Sequence, residues 1–157
     1  MSLARLRGRT PSATPLGGHV LYEHDLRFHK VSHDGSGKCD AFFTGGSTDL
    51  IHGALFDIDP NEKHALDKAE GLGIGYEQKI VQVLAADGCY IEAMTYFATH
   101  TCQDIKPYSW YLHHVHTGAL ETQLPSHYIQ TKISIIEALE DPDKKRDNEQ
   151  RAIHTSR

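Results

Sequence analysis

The sequence has few cysteines, no long apolar run and no excess of positive charge. Its cysteines, Cys39, Cys89 and Cys102, are odd in number and form no CxxC pair, which argues against both a disulfide framework and a cysteine zinc site. No apolar run is long enough to span a bilayer, and the N-terminus lacks the apolar segment of a signal peptide. These absences predict a chain that resides in the reducing cytoplasm and has no membrane partner.

The charge balance excludes another class of partner. Sixteen basic and twenty-one acidic side chains give a net charge of -5, which is the wrong sign for binding a phosphate backbone, so we expect no nucleic acid partner. The chain has 157 residues, 39% of them hydrophobic and 24% charged, a size and composition typical of one globular domain.

The common catalytic signatures are also missing. The sequence contains no GxSxG, HExxH or full phosphate-loop motif. GSGK at 35–38 predicts a flexible hairpin loop, and GLGIG at 71–75 comes after a helix, the reverse of a dinucleotide fingerprint. Twelve histidines leave Ser/His/Asp and Cys/His triads open without favouring them.

One histidine cluster suggests a metal. His113 and His116 share a helical face at three-residue spacing, with His114 between them. The spacing differs from the i, i+4 pair of zinc proteases, and packing or exposure explains the cluster equally well. We therefore expect no metal and no cofactor, and a zinc or nickel site remains the alternative.

Apolar alternation predicts strands over 19–32, 39–44 and 49–58. Two more strands, YEQKIVQVLAA and CYIEAMTYFA, flank the hairpin signal Asp87-Gly88. Helices are predicted near the N-terminus, where MSLARLRGR has no preceding cap, and from Pro107 to Gly118 and from Pro125 to the residue before Pro142. The pattern indicates an α+β domain over 1–141, built on a mixed, curled sheet, with a polar tail over 142–157 that we expect to fray.

The best-defined helix ends on an acid. Asp59 fits its N-cap, Pro60 its first turn, Glu62 a capping-box position and Gly71 a left-handed stop. Glu70 thus lies at the helix C-terminus, next to apolar strands, where the helix dipole and desolvation both disfavour its charged form. Such a carboxylate is suited to general acid/base chemistry near neutral pH, although most helix-end glutamates simply point into water.

The order of segments resembles the γ-glutamylcyclotransferase family and its AIG2-like relatives over roughly residues 1 to 130. The resembling segments are LRFHKVSHDGSGKCDAFFTGG, GALFDID, LDKAEGLGIGY, the strand pair, KPYSWYLHHVHTGA and LPSHYI. LDKAEG followed by Gly75-Tyr76, with a later tyrosine seven residues before Gly118-Ala119, is a fairly specific combination.

The resemblance implies a mixed β-barrel-like sheet with surrounding helices and a cleft at one end. It implies Glu70 as the catalytic acid/base and Tyr111 as a substrate-binding residue. The implied reaction converts a γ-glutamyl amine or amino acid to 5-oxoproline and a free amine, without a cofactor. The substrate's own α-amine attacks its γ-carbonyl, so the nucleophile and the electrophile are already tethered.

The resemblance fails at the start of the chain. The family's first strand leads into a Tyr-Gly-Ser-Asn loop whose backbone donors hold the glutamyl carboxylate, whereas MSLARLR resembles the segment that comes after this loop. We therefore expect this sequence to lack the first strand and the loop, to have an unpaired sheet edge prone to self-association, and to be preceded in the gene by an in-frame Tyr-Gly-Ser-Asn. The alternative is a non-catalytic AIG2-like binding or structural protein that has lost the loop.

Overall fold

The computed structural model describes residues 1–155 and contains six strands with helices between and after them. The strands are β1 Thr14–Tyr22, β2 His24–Val31, β3 Gly37–Phe43, β4 Leu50–Asp57, β5 Tyr76–Leu84 and β6 Tyr90–Ala98. The helices are α1 Leu3–Arg7, α2 Lys63–Glu70 after a 3-10 turn at Pro60–Glu62, α3 Ser109–Glu121, α4 Ser126–Tyr128 with a π turn at Ile129–Ile133, and α5 Lys144–Ala152.

The strands form two sheets, one of four strands in the order β4-β1-β5-β6 and one of two strands, β2-β3. The predicted α+β class, with a barrel-like sheet and surrounding helices, is confirmed, but the sheet is not mixed as predicted. All ladders between these strands are antiparallel, and parallel pairing within residues 1–155 is limited to isolated bridges. The two sheets do not close into one barrel, and Asp40 on β3 reaches β6 by accepting a 2.7 Å hydrogen bond from the Ala98 N–H.

The single strand predicted over 19–32 is wrong. Glu23 adopts a left-handed conformation with φ of 61°, and the chain leaves the four-stranded sheet there to begin the two-stranded one. The Glu23 carbonyl accepts backbone hydrogen bonds from Thr44 and Gly45, so the far end of β3 stabilises this break. The hairpin predicted at Asp87-Gly88 is confirmed, with β5 and β6 paired from Tyr76–Ala98 to Leu84–Tyr90.

Local signals fix the helix that carries Glu70. Gly71 ends α2 with a φ of 74°, as predicted. The Asp59 carboxylate accepts a 2.8 Å hydrogen bond from the Asn61 N–H, so Asp59 is a cap as predicted, but it caps the 3-10 turn that leads into α2. The predicted capping box is wrong, because the Glu62 carboxylate instead accepts a 2.7 Å hydrogen bond from the Ser12 hydroxyl. That bond ties the segment after α1 to the start of α2.

The N-terminal helix lies against α3. It does have a cap, contrary to the sequence-based expectation, since the Ser2 hydroxyl accepts a bond from the Arg5 N–H at 3.4 Å. Gly118 permits the close approach, because a Cβ atom built there would lie 2.5 Å from the Met1 carbonyl oxygen. α3 continues past Gly118 to Glu121, so the helix end predicted at Gly118 is wrong.

The C-terminal part also differs from expectation. The helix predicted from Pro125 shrinks to α4 and the π turn, where Ile133 is buried. The tail does not fray over its described part, because α5 packs on α3 and the buried Asp141 carboxylate accepts bonds from Trp110 at 2.7 Å and from Arg146 at 2.6 Å. The domain boundary at 141/142 stays a prediction, and residues 156–157 lie outside the described part.

Two apolar clusters frame the interior. One centres on Ala119, Tyr128, Ile129 and Ile133, and the other on Leu6, Ala13 and Leu66 with Phe56, Ile58 and Tyr96 against it. The second cluster packs α1 and α2 together, which fixes the helix that ends in Glu70. No helix within residues 1–155 is long and apolar enough to cross a membrane.

Candidate active site

Glu70 faces a cleft and not bulk solvent. Its side chain is 17% exposed, and its Oε1 lies 2.6 Å from Arg9 Nη1. Because Leu66, one turn earlier on α2, is buried in the cluster with Leu6, the end of the helix is held in a defined place. Arg9 holds the carboxylate at the cleft wall, where a carboxylate oxygen can act as a general base towards a ligand.

Tyr111 lies across the cleft on α3. Its hydroxyl oxygen accepts a 3.0 Å hydrogen bond from the Cys39 N–H, so its own proton remains available for another acceptor. Burial raises the pKa of Tyr111 well above its usual value, and the phenol therefore stays neutral at physiological pH. Trp110 packs edge-on against the Tyr111 ring at 6.0 Å.

Glu70 lines three neighbouring cavities. The inner cavity, about 330 Å³, has mostly apolar walls, among them Leu26, Ile51, Phe56, Leu66, Met94 and Val115. The polar cavity, about 190 Å³, is lined by charged groups that include Arg5, Arg9, Lys30, Asp34, Lys38 and Glu70. The outer groove, about 450 Å³, is lined by Lys30, Ser32, Lys68, Glu70, Gly75 and His100 among others.

The two predicted site residues therefore come together. Glu70 and Tyr111 both line the inner cavity and the polar cavity, although they are brought there by different helices. A concave site with apolar walls and a few convergent polar groups is the usual form of a small-molecule site. Its capacity suits a small ligand that bears both an aliphatic chain and charged ends.

A tyrosine and a cysteine that the sequence analysis did not single out complete the wall. The Tyr76 hydroxyl donates a 2.5 Å hydrogen bond to the Cys39 carbonyl, and burial raises the pKa of Tyr76. Burial also raises the pKa of the Cys39 thiol to about 11. A thiol of that pKa is not a nucleophile at neutral pH, so Cys39 contributes its backbone to the site and not its sulfur.

The cleft is rich in positive charge although the chain is net negative. Arg5, Arg9, Lys30, Lys38 and Lys68 line the polar cavity and the outer groove, against the acids Asp34 and Glu70. Sequence reasoning missed these cations as site residues. One signal was present, since Arg5 and Arg9 are four residues apart, a spacing that puts two residues on one side of the predicted N-terminal helix; in the structure α1 ends at Arg7, and Arg9 lies just beyond it.

The GSGK segment is predicted to be a flexible hairpin loop. In the structure it is largely buried and belongs to the site. Ser36, Gly37 and Lys38 are buried. Lys38 Nζ lies 2.8 Å from an Asp34 carboxylate oxygen and 4.7 Å from the ring centres of both Trp110 and Tyr111. The lysine of this loop is thus paired within its own hairpin and packed on the aromatic wall.

Within the histidine cluster, His114 is buried and hydrogen-bonded, whereas His113 is exposed. His114 Nδ1 lies 2.6 Å from His154 Nε2, and its Nε2 lies 3.2 Å from Gln150 Oε1, an oxygen that also accepts a bond from Arg5 Nη1. Over the described part of the chain, no three His, Cys, Asp or Glu side chains come together in a way that could hold a metal ion. The alternative of a metal site finds no support there.

Comparison with known proteins agrees with this architecture. The family model described as AIG2-like matches residues 50–131, just over half of the chain, and the chain therefore belongs to the AIG2-like family. Glu70 and Tyr111 both lie within the matched segment. No curated protein sequence matches the chain significantly.

Solved structures show the same fold. A structure named γ-glutamyl cyclotransferase has a TM-score of 0.84 at 24% identity, over 99% of this chain and 93% of that one. The uncharacterized protein loc79017 from Homo sapiens has a TM-score of 0.81 at 25% identity, over 96% of this chain and 90% of that one. YkqA from Bacillus subtilis has a TM-score of 0.70 at 21% identity, and 87% of this chain covers 49% of its length. The fold is thus that of γ-glutamyl cyclotransferase structures.

Proposed function

We propose that this protein is a cytoplasmic γ-glutamylcyclotransferase-like enzyme that converts a γ-glutamyl compound to 5-oxoproline and a free amine. The observation that carries the proposal is the shared cavity of Glu70 and Tyr111, whose walls include a carboxylate and a neutral phenol. Membership of the AIG2-like family and the fold of a γ-glutamyl cyclotransferase support it.

The reaction needs one proton carrier. The α-amine of the substrate attacks its own γ-carbonyl carbon, a new C–N bond closes the five-membered ring, and Glu70 takes the proton that the amine loses. The bond from the γ-carbon to the leaving nitrogen then breaks, and Glu70 returns the proton to that nitrogen. Folding the glutamyl chain into the reactive rotamer supplies much of the rate, since the reacting groups are tethered. Arg9 orients the carboxylate through its 2.6 Å contact.

Two further groups have roles in this scheme. Tyr111 donates its free proton to the substrate and so orients it within the cavity. Arg5 lines both the inner and the polar cavity, where its guanidinium is held by Gln150 and lies over the Trp110 ring at 5.6 Å. A guanidinium fixed in this way is suited to bind the glutamyl α-carboxylate.

The decisive experiment measures 5-oxoproline released from γ-glutamyl amino acids and glutathione. Glu70→Gln keeps the shape of the side chain and removes the proton acceptor, so we expect kcat to fall about a hundredfold or more. Glu92→Gln, a change to an exposed acid on β6, is the matched control and should leave kcat unchanged. Binding of these compounds without turnover would instead support the alternative, a non-catalytic binding protein.

Self-association remains part of the proposal. The strands β1 and β5 pair only at Val20–Leu84, so most of the backbone groups on their facing edges are left outside that ladder. Unpaired strand edges favour pairing with another chain. Light scattering over a range of concentrations tests this, and a mass that stays monomeric throughout would contradict it.

A further inference from the structure

One buried cation of the cleft has no polar partner among residues 1–155. Lys30, near the end of β2, is only 8% exposed. Arg9 and Lys38 are paired with Glu70 and Asp34, and Lys68 is exposed to water. The Lys30 ammonium makes no hydrogen bond and no ion pair with any residue of the described part, and its closest specific contact is the Tyr76 ring at 4.7 Å.

The fold makes room for this ammonium. A Cβ atom at Gly75 would lie 2.8 Å from Lys30 Cε and 2.9 Å from Lys30 Nζ, so the absence of a side chain at 75 allows the lysine to reach its position. Desolvation lowers the pKa of Lys30, while Glu70 and Asp34 oppose that shift. The ammonium lines two cavities and has no acceptor among the described side chains, so an anionic group of a ligand there would form a charge-assisted hydrogen bond with it.

The position of Lys30 indicates which end of a substrate it meets. Lys30 and Glu70 both line the polar cavity and the outer groove, whereas Lys30 does not line the apolar inner cavity. In the proposed reaction Glu70 returns its proton to the leaving nitrogen. Whatever is attached to that nitrogen then extends past Glu70 into the outer groove, towards Lys30.

We propose that Lys30 binds a carboxylate on the leaving group, and that the preferred substrates therefore release an amino acid or peptide and not an uncharged alkylamine. This inference rests on the proposed function and assigns a specificity-determining residue to the same site. Arg5, which does line the inner cavity, is left for the glutamyl α-carboxylate. The two cations thus recognise opposite ends of one substrate.

Two matched substrates test the inference. γ-Glutamylalanine and γ-glutamylethylamide differ only by the carboxylate of the leaving group, and 5-oxoproline release gives kcat/KM for each. A charge-assisted hydrogen bond predicts that the wild type prefers γ-glutamylalanine by about tenfold to a hundredfold. Lys30→Met keeps the length of the side chain and removes its charge, so the ratio of the two kcat/KM values should fall to about one.

A second variant and a control guard the result. Gly75→Ala displaces the ammonium without removing it and should lower the ratio of the two kcat/KM values. This variant tests the role of Lys30 if Lys30→Met does not fold. Lys145→Met, on the exposed face of α5, should keep the wild-type ratio. A ratio that Lys30→Met and Gly75→Ala both leave unchanged, or a parallel fall for both substrates, overturns the inference and leaves the proposed function standing. Absence of 5-oxoproline from either substrate with the wild type overturns the proposed function and the inference with it.

Discussion

We expect low pH to reduce the free energy of unfolding of this protein through one buried histidine. His114 is 1% exposed, and burial lowers its pKa from 6.5 to about 3. The partners also assign its protons: Gln150 Oε1 accepts from His114 Nε2–H, so Nδ1 is the acceptor for His154 Nε2–H. Protonation of His114 would place two N–H groups face to face. Its neutral form is therefore the one that α5 docks against.

The pH dependence follows from linkage. A histidine whose folded pKa is depressed takes up its proton first in the unfolded chain, so its stabilisation is complete above pH 6.5 and is lost as pH falls from 6.5 towards 3. Each unit by which the pH falls within that window lowers the free energy of unfolding by at most about 1.4 kcal/mol. Between pH 7 and pH 5 the loss from His114 alone is about 2 kcal/mol in the free energy of unfolding.

The assay is urea unfolding of the wild type and of His114→Gln at pH 7 and pH 5, followed by the fluorescence of Trp110, the one tryptophan of the chain. The Trp110 and His114 rings are 5.7 Å apart, so the signal reports the relevant region. We expect the wild type to lose about 2 kcal/mol more than the variant over this pH interval. Equal losses in both proteins would refute the reasoning, because the pH dependence would then come from other groups.

Two other substitutions test the ion pair between Arg9 and Glu70 and the packing of α1 on α3. Arg9→Met removes the 2.6 Å contact to Glu70, between side chains that are 22% and 17% exposed. We expect 5-oxoproline formation to slow about tenfold because Glu70 loses its orientation, with little change in the free energy of unfolding. An unchanged kcat would speak against an orienting role for Arg9. Gly118→Ala inserts a Cβ 2.5 Å from the Met1 carbonyl oxygen, so α1 must shift. We expect the free energy of unfolding, measured in urea, to fall by about 1 to 3 kcal/mol. An unchanged free energy of unfolding would mean that α1 and α3 are not tightly packed.

Elements with local signals were predictable from the sequence. The 3-10 turn that leads into the helix carrying Glu70 has its cap at Asp59, the helix has its stop at Gly71, and the hairpin has Asp87-Gly88. The break at Glu23 could not be predicted, because it depends on hydrogen bonds from Thr44 and Gly45, which are distant in sequence. Composition was misleading for α5, since its docking depends on buried polar groups such as Asp147 and not on an apolar stripe.

The site was predictable only in part for the same reason. Glu70 is marked by the end of its own helix, and Tyr111 was expected from resemblance to a family. Arg9 lies 61 residues from Glu70 along the chain, and nothing near Arg9 in the sequence indicates that contact. Lys30 was hidden within a strand pattern, where a lysine normally points to water, and only its burial beside Gly75 reveals that it does not.

Glu70 and most cations of the cleft belong to different parts of the chain. Glu70 and Tyr111 lie within the segment that matches the family model, residues 50–131, whereas Arg5, Lys30 and Lys38 come from the first helix and the β2–β3 hairpin, outside it. In the proposed reaction the proton carrier and the cations Arg5 and Lys30 therefore come from different segments of the chain. We expect a redesigned β2–β3 hairpin to change the substrate preference while Glu70 and its helix are left untouched.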